Sequence, residues 1–85
     1  MRLPLIKHIN AFIEQNDADF VQETIDTLEN LIESDNIKDE ELDVIGELLS
    51  NFYGALEVNA MIEQGKPQRE ALNEFMKRVT GSIDR

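Results

Sequence analysis

Apolar positions along the chain recur at spacings of three and four, in four blocks separated by short polar breaks. This is the pattern of amphipathic helices rather than of strands. In the first block Leu5, Ile9 and Phe12 share one line, with Ile6 and Ile13 flanking it, so one broad stripe faces a core. Pro4 marks its start, because proline near the first helical position gives up no hydrogen bond, and Asn16-Asp17 marks its end. In the second block Val21, Ile25, Leu28 and Ile32 form the stripe, with Phe20 and Leu31 beside it. Gln22, Glu23, Asp26, Glu29, Asn30 and Glu33 fill the opposite face, as on an outer helix of a bundle. Asp17 or Asp19 caps this helix by accepting from unpaired N–H groups of its first turn. The break is so short that helices one and two are expected to form an antiparallel hairpin.

The third block, Asp39 to Gly65, is the longest and the most apolar around its circumference. Ser34-Asp35-Asn36 precedes it, and Ile37 is placed to tuck under its start. Asp39 is the expected cap, with Glu40 and Glu41 in the first turn, where negative charge suits the helix dipole. At 100° per residue, Leu42, Ile45, Leu49, Phe52 and Leu56 make one stripe. Val44, Leu48, Ala55, Val58 and Ile62 widen it on one side, and Tyr53 and Ala60 on the other, to an arc on the order of 200°. A helix buried over that arc needs neighbours on two sides.

Its narrow remaining face holds Gly46, Ser50 and Gly54, beside Asp43, Glu47 and Glu57. Glycine within a helix costs roughly 1 kcal/mol relative to alanine. Two on one face mean either a break at Gly54 or the close approach of a second helix, from this chain or a twin subunit. The reading taken is one continuous helix with close approach. Gly65-Lys66-Pro67 then supplies a left-handed stop and a proline start. The fourth block carries Leu72, Phe75, Met76 and Val79, with Ala71 on its edge. Glu70 lies in its first turn and Lys77-Arg78 in its last, and Gly81 is the expected stop, leaving Ser82 to Arg85 as a short tail. The pattern therefore predicts a single all-α domain over residues 1–85. It is a four-helix bundle with helices near 4–15, 18–33, 39–64 and 67–80 and a long central third helix.

Eighty-five residues make one core and leave no room for a second domain. Apolar burial and conformational entropy nearly cancel in a chain this short, and without cysteine neither a disulfide nor a thiolate zinc site adds to it. Helix packing and self-association are left, so a homodimer is expected. The amino terminus lacks the long apolar stretch of a secretory signal, and no window reaches the roughly 20 apolar residues of a membrane span. The expected compartment is the cytoplasm.

Net charge is −10 and uneven: residues 1–65 hold fifteen acidic against three basic side chains, while residues 66–85 hold three against five. That balance argues against binding nucleic acid or an anionic membrane surface.

Candidate chemistry is sparse. Glu40, Asp43 and Glu47 share a helix face and could hold a hard cation, which is the metal-binding or enzymatic alternative. An acidic first turn is expected on dipole grounds alone. Calcium-loop spacing fails for want of a glycine at the sixth position, and a di-iron bundle fails because Leu5 stands where Glu-x-x-His8 needs glutamate. His8 is the one histidine, among polar neighbours Lys7 and Asn10, and reads as a surface residue. No phosphate loop or nucleophile–base motif is present. The expectation is no enzyme and no cofactor. Interaction surfaces are instead the Gly46-Ser50-Gly54 face and a basic face of the fourth helix made by Lys66, Arg69, Lys77 and Arg78. The unlike charges of the two parts would suit pairing between subunits. An acidic mimic of nucleic acid is disfavoured, since the charges follow no periodic line.

The segments KDEELDVIGELLSNFYGALEVNAMI (Lys38–Ile62) and ALNEFMKRVTGSIDR (Ala71–Arg85), with the MRLPLIKHI opening, resemble a small uncharacterised group of bacterial proteins of about this length. The resemblance covers essentially the whole chain and implies no catalytic residue. It also implies an accessory role near thioredoxin-like and peroxiredoxin proteins. With no thiol of its own, the chain could only bind or regulate there. The function read from the sequence is a protein-interaction or regulatory module that self-associates.

Overall fold

Pro4 sits in the first turn of α1 (Leu3–Gln15), whose start is capped by no side chain. Asn16 closes it, its side-chain amide donating to the Phe12 carbonyl at 3.1 Å. The computed structural model describes the backbone of residues 2–83 and the side chains of residues 2–79. Asp17 caps α2 (Ala18–Ile32), its carboxylate accepting from the Asp19 N–H at 3.0 Å. The long helix α3 (Asp39–Glu63) runs unbroken through Gly46 and Gly54. Asp39 is not its cap: Lys38 holds that position, and Glu41 reaches back to accept from the Lys38 N–H at 3.0 Å. The two acids of the first turn other than Glu41 are left to complement the dipole.

At the far end of α3, Gly65 takes φ +108°, and the Gly65 and Lys66 N–H groups bond to the Ile62 and Met61 carbonyls at 3.0 and 3.2 Å. This pair of crossed bonds is the glycine stop that the sequence predicts. Pro67 accepts from the Ala71 N–H at 3.0 Å and opens α4 (Gln68–Ile83). Gly81 does not end this helix, which runs on through Ser82 to Ile83. A glycine stops a helix by turning left-handed, and no proline follows Gly81 to force that turn, as Pro67 follows Gly65. Of the tail expected after Gly81, Asp84 and Arg85 lie outside the described residues.

α3 is the spine. The other three helices all pack on it, and α1 and α2 touch each other less than either touches α3. The Cα envelope measures 42 × 36 × 17 Å. A thickness of 17 Å is that of two helix layers, since axes pack 8–10 Å apart. Every helix therefore keeps a face on solvent, and the core divides in two. Around the carboxyl half of α3, Ile6, Ala55, Val58, Ala71, Leu72 and Phe75 are buried together. Around its amino half, Ile13, Val21, Ile25 and Leu49 form a second cluster, with Phe52, Leu56 and Ile45 half-buried against it.

Two buried amides fix α1 on the spine. Asn51 accepts from the Arg2 N–H at 2.8 Å and donates to the Glu47 carbonyl at 2.9 Å. Asn10 donates to the Ala55 carbonyl at 2.9 Å, although its own carbonyl oxygen is buried without a partner. The line of α1 that faces the core is thus Ile6-Asn10-Ile13, one step round from the expected Leu5-Ile9-Phe12 line. Phe12 is 42% exposed as a result.

Candidate functional site

The rotation of α1 leaves apolar side chains on the surface where α1, α2 and α3 meet. Ile9 and Phe12 from α1 face Phe20, Val21 and Thr24 from α2 across a groove floored by Phe52 of α3. Its volume is about 280 Å³, and His8 lies on its wall. The short Asn16-Asp17 link brings the two phenylalanines together: their ring centroids lie 5.9 Å apart with planes at 82°, an edge-to-face pair. Phe20 is nevertheless 54% exposed. A second depression adjoins the first and shares Phe20 and Thr24 with it, continuing along α2 past Glu23 and Thr27 to Leu28.

Along α3 the four-residue series Val44-Leu48-Phe52 carries the apolar surface onward. Val44 is 58% and Leu48 39% exposed. They line a smaller depression with Leu5 of α1, rimmed by Arg2 and Glu47, whose side chains approach to 3.9 Å. The opposite groove wall has little chemistry. The Thr24 hydroxyl donates to the Phe20 carbonyl at 2.8 Å, a helix back-bond that leaves it no proton to give His8.

The residues singled out in the sequence are dispersed. Gly54 is buried, and a Cβ there would stand 3.0 Å from Phe75 Cζ and 3.1 Å from Ile6 Cδ1. Of the two glycines only Gly54 is closely approached, and by side chains of α4 and α1 in the same chain rather than by a second backbone. Gly46 has open space in front of it, and the Ser50 hydroxyl donates to the Glu47 carbonyl at 2.9 Å. One stripe of small residues thus begins on the surface and ends in the core.

On the basic face, Lys66 pairs with Glu74 and Arg78 with Glu57, and the Arg78 guanidinium also lies 5.8 Å from the centre of the Phe75 ring. Arg69 lines a separate depression with Lys7, Leu3 and Leu72, and Lys77 is exposed. Among the described residues no three His, Asp or Glu side chains converge as ligands for a metal ion, so Glu40, Asp43 and Glu47 share a face without forming a cage. No described helix is long and apolar enough to cross a membrane.

Helical periodicity puts Phe12 in the core stripe and Phe20 on its flank, and so does not predict the groove. The available signal was Asn10: an asparagine three residues before Ile13 competes with Phe12 for the inward position and wins only if it finds a backbone partner, which Ala55 supplies.

A model of the family of unknown function DUF6952 matches residues 1–84, and the chain belongs to that family. No curated protein and no solved structure matches it.

Proposed function

We propose that this member of a family of unknown function acts by docking another protein on the groove between α1, α2 and α3. The observation that carries the reading is the exposure of Phe12 and Phe20, 42% and 54%, as an ordered pair rather than as scattered surface residues. Aromatic side chains grouped in a concave apolar patch are the usual anchors of protein interfaces. A groove of about 280 Å³ lies at the small edge of the roughly 300–1,000 Å³ range of ligand pockets and suits one or two protruding side chains. An accessory role beside thioredoxin-like or peroxiredoxin proteins is one setting for such docking, with this chain contributing a surface and no thiol.

The test compares material captured from the native cell by the wild-type protein and by Phe20→Ser, with helical content checked on both. A protein held by the first and lost by the second is the expected result. Equal retention by both would place docking elsewhere.

Self-association is a second reading, favoured by Val44 and Leu48, exposed on a line of α3 that is buried farther along at Asn51, Ala55 and Val58. Light scattering at tens of micromolar is expected to give a dimer mass that falls to monomer in Val44→Ser/Leu48→Ser. The carboxylate alternative has its own assay: a stoichiometric, tightly held cation in the purified protein would favour a metal role for Glu40, Asp43 and Glu47 over docking.

A further inference from the structure

We infer that the occupant of the groove is a basic amphipathic helix, an inference that rests on the docking reading. Between Lys7 and Lys38 the chain contains no Lys or Arg and eight Asp and Glu. That interval supplies the carboxyl half of α1 and all of α2, which form two of the three groove walls. Glu23 lines the adjoining depression itself, and Asp17 and Asp19 flank Phe20 at the start of α2. The floor, at Phe52, belongs to a helix none of whose 25 residues is basic. Apart from His8, the cavity wall has no group able to carry positive charge.

An apolar floor between anionic rims selects its partner on two counts. The floor accepts large apolar side chains spaced one helical turn apart, since the groove and its continuation run along α2 from Phe20 past Thr24 to Leu28. The rim favours Lys or Arg flanking those anchors and repels carboxylates, an effect strongest within a Debye length of about 8 Å at physiological salt. A second copy of this chain fits poorly here. Symmetric pairing would set two such acidic rims against each other, which like-charge repulsion opposes.

The probe is a synthetic helix about 18 residues long, or ~5 turns, with Leu at positions i, i+3, i+4 and i+7 and Lys elsewhere. Its twin carries Glu in place of every Lys. Each is titrated into the isotopically labelled full chain, read by calorimetry and by amide shifts. The expected result is binding of the Lys peptide, with shifts centred on Phe12, Phe20, Thr24 and Phe52, weakened about tenfold or more by Phe20→Ser. The Glu peptide should not bind measurably.

Equal binding of both peptides in the groove would overturn the basic partner and leave docking intact. Shifts from the Lys peptide confined to Asp39–Glu47 would show attraction to charge alone and overturn the inference. Failure of both peptides to shift the groove, with Phe20→Ser changing the protein's own mass, would make a second copy the occupant and overturn it as well. Failure of both with no change in mass would count against docking itself.

Discussion

The two halves of α3 have the same kind of neighbours and end in different states. Around the carboxyl half, Ala55, Val58 and Ala71 are fully buried and Phe75 is 2% exposed. Around the amino half, three helices also meet, yet Phe12 and Phe20 stand open to solvent. The difference lies in the side chains at the crossing. Gly54, Ala55 and Ala71 let α1 and α4 come close, and the Phe75 ring fills the space over Gly54. Small residues facing one large one close a core. The open cluster differs at its surface: Phe12 and Phe20 meet edge to face with much of each ring on solvent, and a groove remains between them and Phe52. Both halves bury a core, and the amino half also leaves an apolar surface.

The largest effect expected from breaking this contrast is Phe75→Ala, which removes the filler of the closed half. The loss should be about 3–5 kcal/mol, a large fraction of the stability of a domain of this size, and denaturant titration measures it. Gly54→Ala comes next. Its methyl would press on Phe75 and Ile6, both buried, which must shift by a few tenths of an ångström, at a cost of roughly 1–3 kcal/mol against about 1 kcal/mol gained in helix propensity.

Gly46→Ala, eight residues earlier on the same helix, meets open space and should stabilise by up to about 1 kcal/mol, raising the melting temperature by about 4–8 °C. Opposite signs from one substitution on one stripe would separate packing from propensity, and a loss at Gly46 would show a contact there that this chain alone does not make. The smallest effect on folding belongs to Phe20→Ser. Little is buried there beyond the edge of the Phe12 ring, so the loss should stay near or below about 1 kcal/mol while partner binding falls.

The four helices, the continuity of α3 and the Gly65 stop were all legible in the sequence, because periodicity and left-handed glycine act locally. So was the need for close packing at Gly54, though not which element packs there. Three features were not legible. Lys38 rather than Asp39 is the cap of α3, with Glu41 accepting from its N–H, a choice between neighbouring starting points in an acidic run. Gly81 is passed over in α4, since a permissive residue does not compel a turn. The inward line of α1 is Ile6-Asn10-Ile13: the two isoleucines carry the burial, and Asn10 joins them because its amide donates to a carbonyl 45 residues away in the chain. The candidate site follows from that last feature. Turning α1 by one position takes Phe12 out of the core and completes the groove, and helical spacing alone does not choose between the Leu5-Ile9-Phe12 and Ile6-Asn10-Ile13 lines.

The most direct measurement is site-specific photo-crosslinking in the native cell, with a benzophenone amino acid placed at Phe20 in one variant and at Gly46 in another. Both positions are exposed, so both variants should fold. Docking on the groove should give a discrete protein adduct from position 20 and none from position 46. An adduct from position 46 with none from position 20 would contradict it and return the docking surface to the stripe of small residues on α3.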